Sequence, residues 1–524
     1  MKTKLIIVTA TAFLMNFCIN AQNNAPTIEE FNAYYSEESN SLTIEITLSD
    51  IENDAMTATL QYADVSGEFQ YLDLANYEVD YSSSEEIVAN EKNTWIITNL
   101  ENATEIKNLR LIAEDDQAFD IQKLVDQVDS NMLRTNLELL EGPRNRNADL
   151  GHLGFCKDSI FTSFLEGDLN ARIQEYTFQG DIGQNLIGNK AAVRTSDTTF
   201  IIDGHYDTVE ISPGADDNGS AIVGVMEAVR ILSPHFFEHN IEFIAFDMEE
   251  DGLIGSQRYL DRDDGLDSTQ YVGGVLNFEM IGYWDNRPNT QQFPGGFEIV
   301  FPDAAAAVEA NDSRGDFITN VGSKASVELI DAFNNSAEQY VPDLKTISLA
   351  TDISGGASAD LRRSDHAYFW DAGYQALMLT DGANFRNPYY HTANDKVETL
   401  NFTFMSNVVK ATIATMANIA KIKNATSATT IVEAFPDAIG IQNIFSGNVK
   451  IYNQNKSAFI SFINPIQDSL DLQLLDLNGK LIIAEKISPN SKTHQMSLDG
   501  IAAGVYLINI SNGSVQFSEK VVVE

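Results

Sequence analysis

Hydrophobic and polar positions along this chain follow three successive patterns. From about residue 25 to 115 the apolar runs are short and have a period of two, as in Leu42 to Leu48 and Trp95 to Ile97, with Asn, Asp, Ser and Gly between them. This period and turn spacing predict a small β-sandwich of the immunoglobulin or fibronectin type. No cluster of acids, bases or ligands stands out there, so we expect an accessory domain that acts as a spacer or protein contact.

The second pattern, over residues 122–438, alternates apolar strands with amphipathic helices. Short apolar runs that predict buried strands lie at residues 199–202, 241–246, 275–278 and 376–379. Residues 220–232 and 404–422 carry apolar side chains at helical spacing. The alternation predicts an α/β fold with a central mixed, mostly parallel sheet flanked by helices. In such open sheets, ligands bind beyond the carboxyl ends of the strands.

The third pattern, over residues 443–524, is again all-β and predicts a second small β-sandwich. Apolar runs occupy residues 449–452, 470–475 and 504–510, and Asn464-Pro465 and Asn478-Gly479 mark turns between them.

The first 21 residues read as a signal peptide. Lys2 and Lys4 precede an apolar run from Leu5 to Phe17, and Ala21 offers a small residue at the cleavage position. That run is too short to cross a bilayer easily, and no later stretch approaches 18 apolar residues, so we expect no membrane span. The expected location of the mature protein is secreted or at the cell surface.

Charge narrows the range of partners. The 524 residues include 33 basic and 76 acidic side chains, a net charge of −43. Nucleic acids and anionic membranes both reward a basic surface, so neither is expected as a partner. A solvated acidic shell that keeps a secreted protein soluble explains the balance. Acidic loops could also bind Ca²⁺, but no loop motif of the EF-hand kind supports this.

Acids and histidines gather near the predicted strand ends. The candidate residues are His205, Asp217, Glu249, Glu250, Glu279 and His391. His205 supplies a neutral imidazole nitrogen, and Asp207 follows it at a spacing that lets its carboxylate accept the imidazole's other N–H. We therefore expect His205 to bind a cation and Asp207 to orient it.

The remaining acids suit a centre with two cations. Asp217 directly precedes a predicted helix, where an acid could merely complement the helix dipole. Its position shortly after His205 favours metal binding instead, because its two carboxylate oxygens could bridge two cations. Glu249 and Glu250 follow a strand, and adjacent side chains leaving a strand point in different directions. One of them can therefore bind a metal while the other faces an attacking water.

Six segments carry a resemblance to a known family. They read GHYDTV, PGADDNGS, MEED, NFEMIGY, SDHAYFWDAG and YYHTANDKVETL, and in order and spacing they resemble the M28 family of co-catalytic zinc aminopeptidases. The resemblance implies a zinc-exopeptidase-like fold and two Zn²⁺ per chain. It makes His205 and Glu279 ligands of one zinc, Asp217 the bridge, Glu250 and His391 ligands of the other, Glu249 the general base and Tyr390 a donor to the tetrahedral oxyanion.

Two positions need separate mention. Most family members carry Asp where this chain has Glu279, so that ligand is longer by one methylene. Asp365 lies in the Ser364-Asp365-His366 segment, and for it we expect a supporting role behind the ligands or in the pocket wall.

A second resemblance concerns the C-terminal 80 residues. The segments NPIQDSLDLQLLDLNGKLI, GVYLINI and EKVVVE resemble the C-terminal sorting domain of proteins exported by the type IX secretion system, which would be a partner. The expected function is a secreted metallo-aminopeptidase that acts on peptide or protein substrates through a zinc-activated water. A metallo-carboxypeptidase or a glutaminyl cyclase on the same fold, and a non-catalytic surface adhesin, are the alternatives.

Overall fold

The computed structural model describes residues 24–523 except 37–39, 51–55, 64–68, 82–86, 88, 90, 99–105, 107, 149, 262–263, 354–355, 435–448, 455–456, 463–468, 476–479, 490, 499, 503 and 512–515. The predicted signal peptide and the two predicted turns of the C-terminal region lie outside the described residues. Two compact units are present, one ending at Val432 and one running from Glu433 to Glu524. Within the described part of the chain, no helix is both long and apolar enough to span a membrane.

The first part of the large unit is built from antiparallel strands. They are β1 (Thr27–Ser36), β2 (Ser41–Ser49), β3 (Met56–Ala63), β4 (Phe69–Tyr71), β5 (Glu78–Tyr81), β6 (Lys92–Thr98) and β7 (Asn108–Asp115). The alternating apolar residues of these strands, such as Leu42, Ile44 and Ile46 of β2, are buried and form one hydrophobic core. The period-two pattern thus gives strands with one buried face.

The α/β part of the large unit contains the strands of a second sheet. In chain order they are β8 (Asn170–Phe178), β9 (Asp181–Lys190), β10 (Thr198–His205), β11 (Phe236–Phe237), β12 (Asn240–Phe246), β13 (Tyr271–Glu279), β14 (Ile318–Ser323), β15 (Thr346–Thr351), β16 (Ala376–Thr380) and β17 (Ile422–Lys423). The sheet order is β15-β14-β16-β13-β10-β12-β9-β8, while β11 and β17 form a separate pair. Strands β16, β13, β10 and β12 run parallel to one another.

Helices cover both faces of this sheet. They are α1 (Gln122–Val125), α2 (Ser130–Leu140), α3 (Leu150–Glu166), α4 (Ala221–Leu232), α5 (Ile254–Asp261), α6 (Phe297–Val300), α7 (Pro302–Ala310), α8 (Val327–Tyr340), α9 (His366–Asp371) and α10 (Phe402–Ile419). Ile202 of β10 and Phe243 of β12 belong to the core shared with α4 and α10, whereas Ile201 and Ile244 belong to the core shared with α5 and α9. The predicted α/β fold with a mixed sheet flanked by helices is confirmed.

The strand that follows α10 leaves this domain. Strand β18 (Ala425–Ala434) pairs antiparallel with β7 and lies between β7 and β1 in the first sheet. The sequence-based boundary at residue 438 had placed this strand in the α/β segment. Its period-two pattern is too short to assign to either domain, and only long-range pairing with β7 decides its place.

The two ends of the α/β segment are held together where it joins the first sheet. The Asn424 side chain donates a hydrogen bond to the Asp115 carboxylate at 2.8 Å, and the Asp115 N–H donates to the Asn424 carbonyl at 3.2 Å. Elsewhere Gln61 donates to the Val193 carbonyl at 3.1 Å. The α/β domain is therefore inserted between two neighbouring strands of the first sheet.

The C-terminal unit consists of two small antiparallel sheets. Its strands are β19 (Val449–Gln454), β20 (Ser457–Phe462), β21 (Leu470–Leu475), β22 (Leu481–Ile487), β23 (Thr493–Ser497), β24 (Gly504–Ser511) and β25 (Gln516–Val523). One sheet has the order β19-β20-β23 and the other β22-β21-β24-β25. Buried residues of both sheets, including Ile460, Leu472 and Ile508, form one hydrophobic cluster.

Candidate metal centre

The predicted site residues lie at the carboxyl ends of the parallel strands. His205 is the last residue of β10, and Glu279 is the last residue of β13. Glu249 and Glu250 follow β12 in a turn, Asp217 precedes α4, and His391 lies on the segment between β16 and α10. Because neighbouring parallel strands end at the same edge, these distant residues meet in one crevice.

Two groups of ligand-type side chains share one carboxylate. His205, Asp217 and Glu279 form the first group, and Asp217, Glu250 and His391 form the second; within each group the ligand atoms lie within 4.8 Å of one another. In the first group His205 Nε2 is 3.6 Å from Asp217 Oδ1 and 3.5 Å from Glu279 Oε2. In the second, His391 Nε2 is 3.0 Å from Asp217 Oδ2 and 3.1 Å from Glu250 Oε2.

Buried polar atoms test whether this donor set fits a metal. His205 Nε2, Asp217 Oδ2 and Glu250 Oε1 are buried, and none has a partner in hydrogen-bond geometry within the described part of the chain. Buried polar groups without partners are costly and require explanation. Imidazole nitrogen and carboxylate oxygen are ligands that zinc accepts. The residues present therefore fit a zinc centre.

The pKa shifts within the cluster are also consistent with a site that binds cations. Burial, followed by the nearby Asp217 carboxylate, raises the pKa of Glu250 to about 7. Burial alone would lower the pKa of His391, but its contacts with Asp217 and Glu250 outweigh burial and raise it to about 10. Carboxylates crowded in this way repel one another in the protein alone, and bound cations would relieve that repulsion.

Glu249 lies beside the first group without belonging to either. Its Oε2 is 3.7 Å from His205 Nε2. Burial raises its pKa well above the usual value, and the neighbouring Glu279, Asp365 and Glu250 carboxylates add to the shift, while the His205 imidazole opposes it. A carboxylate with a raised pKa holds a proton more strongly, which suits a general base.

Asp207 approaches the His205 ring with both its main chain and its carboxylate. Its main-chain carbonyl oxygen lies 3.1 Å from His205 Nδ1, closer than its carboxylate Oδ1 at 3.4 Å. The carboxylate also accepts hydrogen bonds from the N–H groups of Glu249 and Glu250, at 3.0 and 3.1 Å. Asp207 therefore contacts the imidazole with its backbone and its carboxylate, and it positions both glutamates with its side chain.

The Ser364-Asp365 segment supports the first group from behind. Ser364 donates a 2.7 Å hydrogen bond to Glu279 Oε2, which fixes the longer side chain at this position. Asp365 is fully buried, and burial raises the pKa of its carboxyl to about 7, an effect that the nearby His205 opposes. The structure thus brings Glu279 into the cluster despite its extra methylene.

Two supporting residues were not anticipated from the sequence. Asp395 accepts hydrogen bonds from the N–H groups of Asp216 and Asp217, at 2.9 and 3.1 Å, and so orients the shared ligand. Asp395 lies in the segment that contains His391, and that proximity was the one available signal. Arg144 is fully buried, and its guanidinium donates to five main-chain carbonyls, those of Leu140, Gly142, Tyr206, Pro213 and Gly214. No local pattern marks Arg144.

A cavity of about 80 Å³ opens beside the first group. Glu279, Arg363 and Tyr390 line its polar side, and its apolar wall is formed by Phe293, Phe297, Phe317, Val321, Ile347, Leu349 and Met378. The Tyr390 ring stacks on the His391 ring at a centroid distance of 3.8 Å. The predicted oxyanion donor therefore lies next to a predicted ligand and at the mouth of an apolar cavity.

Comparisons with known proteins find similarity over two parts of the chain. Residues 185–416 match peptidase family M28, and residues 442–524 match the secretion system C-terminal sorting domain. The uncharacterized protein YfbL of Escherichia coli is 26% identical over 52% of this chain and 83% of its own length. Aminopeptidase YwaD of Bacillus subtilis is 28% identical over 44% of this chain, a match that spans 43% of that relative. The LapA aminopeptidase of Legionella pneumophila is 17% identical, with a TM-score of 0.43 over 70% of this chain and 98% of that chain.

The α/β domain is thus a metallopeptidase domain. More particularly, the match over residues 185–416 is to a peptidase family M28 domain, and a match to a C-terminal sorting domain follows. Both predicted resemblances are confirmed. A sorting domain of this kind implies export to the medium or the cell surface.

Proposed function

We propose that the protein is a secreted aminopeptidase with two zinc ions per chain, and that it removes N-terminal residues from peptides. The observation that carries the proposal is the sharing of Asp217 by two ligand groups, with Glu249 beside them but in neither. His205, Asp217 and Glu279 would hold one ion, and Asp217, Glu250 and His391 the other. Such ions, when bound, polarise a carbonyl and make a water more acidic.

The protein's own side chains would supply the proton transfers. Glu249 takes the proton of the attacking water and returns it to the leaving amine, so no covalent intermediate is needed. Asp207 holds the main chain of Glu249 in place through its 3.0 Å hydrogen bond. The Tyr390 hydroxyl donates to the oxygen on which negative charge develops.

The charged groups around the cavity bear on which end of a peptide substrate is bound there. The four carboxylates of the two ligand groups and Glu249 would balance the charge of two divalent cations, and the N-terminal amine of a substrate would lie beside these acidic ligands. Among the described residues lining the cavity, Arg363 is the only cation, and its donors already reach Tyr390 and Asn384 at 2.9 Å. A carboxypeptidase would need a cation to bind the terminal carboxylate, and the two outer nitrogens of Arg363 already donate to other side chains. These features support removal of an N-terminal residue whose apolar side chain enters the cavity.

The decisive experiment compares peptides that are blocked at one end. The purified protein, dialysed at neutral pH and analysed for zinc, is given a leucine-initiated peptide, its N-acetylated form and its C-terminally amidated form. We expect about two equivalents of zinc and cleavage of the free and amidated peptides only. Cleavage of the free and N-acetylated peptides, with the amidated peptide left intact, would indicate a carboxypeptidase. Cyclisation of an N-terminal glutamine with one zinc would indicate a glutaminyl cyclase, and zinc-replete protein without turnover would indicate an adhesin.

A further inference from the structure

Tyr390 is the donor in the proposed reaction, yet its ring stack alone leaves its hydroxyl proton undirected. The stack on His391 fixes the ring plane, with 17° between the two rings. A phenol hydroxyl carries one proton and can accept hydrogen bonds at its lone pairs. Rotation about the C–O bond therefore decides whether the proton faces the reacting carbonyl or turns away from it.

Arg363 occupies an acceptor position of that hydroxyl. Its Nη2 donates to Tyr390 Oη at 2.9 Å, and its Nη1 donates to Asn384 Oδ1 at 2.9 Å. Arginine has only donors, so it cannot receive the phenol proton. Within the described part of the chain, the Tyr390 hydroxyl has no acceptor for its own proton. The proton is therefore free to point into the cavity that Tyr390 shares with Glu279.

The guanidinium is itself held in place. Asn384 accepts from one nitrogen, and the Asp360 carboxylate lies 3.6 Å from that same nitrogen. A planar fork with two fixed contacts loses little freedom when it binds a third group. Arg363 therefore presents a preorganised donor to the phenol. Its positive charge also attracts the lone-pair electrons of the phenol oxygen.

We propose that Arg363 is a positioning residue that sets the direction of the Tyr390 O–H bond. The inference rests on the proposed peptidase function, in which Tyr390 donates to the developing oxyanion. Its effect is confined to states with tetrahedral geometry, because the planar carbonyl of a bound substrate carries little negative charge. Loss of Arg363 should accordingly lower kcat and leave KM nearly unchanged.

The test combines turnover with binding of a tetrahedral analogue. The variants are Arg363→Met, Arg363→Lys, Tyr390→Phe and the double variant Arg363→Met with Tyr390→Phe. Arg362→Met is the matched control, because Arg362 lies next in the chain but pairs with Asp371. Each zinc-loaded protein is assayed with leucine p-nitroanilide, and its affinity for the phosphonic acid analogue of leucine is measured by calorimetry.

We expect Arg363→Met to lower kcat about tenfold, a part of the roughly hundredfold or larger loss typical for an oxyanion donor. KM should change less than about twofold, and analogue affinity should fall in parallel with kcat. Arg363→Lys should recover part of the loss, and the control should match the wild type. In the Tyr390→Phe background, Arg363→Met should cost little more, since the group it orients is gone.

Other results would overturn the inference. Multiplicative losses in the double variant would show that Arg363 acts on the substrate directly, and unchanged kcat and analogue affinity in Arg363→Met would show that it has no such role. A wild-type protein that binds the analogue but does not turn over the anilide would contradict the proposed function alone, because the binding series still tests Arg363. A wild-type protein that neither bound the analogue nor turned over the anilide would contradict both the proposed function and the role of Arg363.

Discussion

Arg144→Met should destabilise the catalytic domain, and the structure allows the size of the effect to be worked out. Three of the five carbonyls that Arg144 contacts have a second possible donor: Pro213 accepts from Gly142 N–H, Gly214 from Gly219 N–H, and Leu140 lies near His152 Nε2. The carbonyls of Gly142 and Tyr206 have no other donor within the described part of the chain. Two buried carbonyls left without a donor would together lower the free energy of unfolding by about 2–6 kcal/mol.

Part of that cost is recovered because a buried charge disappears. The Arg144 guanidinium is buried and therefore poorly solvated, which lowers its pKa. We therefore expect a net loss of about 3 kcal/mol in the free energy of unfolding. Arg144→Lys should be at least as destabilising, since it keeps the buried charge but cannot reach five carbonyls from one nitrogen.

The assay is urea unfolding of the full chain, followed by circular dichroism, with zinc content and peptidase activity measured on the folded protein. Arg134→Met is the control, because Arg134 is exposed, approaches Glu138 at 3.9 Å and lies over the Phe402 ring at 4.2 Å; it should change stability by less than about 1 kcal/mol. Activity should also fall in Arg144→Met, since Tyr206 and Gly214 flank the ligand-bearing loops. If Arg144→Lys retained wild-type stability while Arg144→Met did not, the charge and not the fork would be the stabilising feature, and the reasoning would be refuted.

Three further predictions concern the base, the support of a ligand and the domain boundary. Glu249→Gln should lower kcat by about a hundredfold or more with zinc retained, whereas Glu250→Gln should lose zinc; the opposite pattern in metal analysis would exchange their roles. Ser364→Ala should weaken zinc binding by about tenfold or more through the freed Glu279 carboxylate, as measured by competition with a chelator, and unchanged affinity would contradict this. A chain ending after residue 434 should fold and hydrolyse peptides but, with its signal peptide, stay unexported in the native host, while a chain ending after residue 424 should lose stability because β18 is missing.

The sequence predicted the chemistry of the site better than its support. His205, Glu249 and Glu279 could be placed because periodicity located strand ends, and parallel strand ends converge. The contact of the Asp207 carboxylate with the Glu249 main chain depends on how two loops fold against each other, so spacing alone indicated only the carboxylate's approach to His205. Arg144 was missed for a similar reason, since its five acceptors are main-chain groups that carry no sequence signal. The place of β18 depends on pairing with strands made more than 300 residues earlier.

The joint between Asp115 and Asn424 has a mechanical consequence. Because entry and exit of the α/β domain are hydrogen-bonded to each other, tension applied along the chain from the sorting domain would reach β18 first and pass into its neighbours β7 and β1. Antiparallel strands loaded along their length resist by shear of many hydrogen bonds at once. Because the α/β domain joins this sheet through two adjacent chain connections, such tension would not pull its two ends apart. Its metal ligands would then keep their spacing while the first sheet bears the strain.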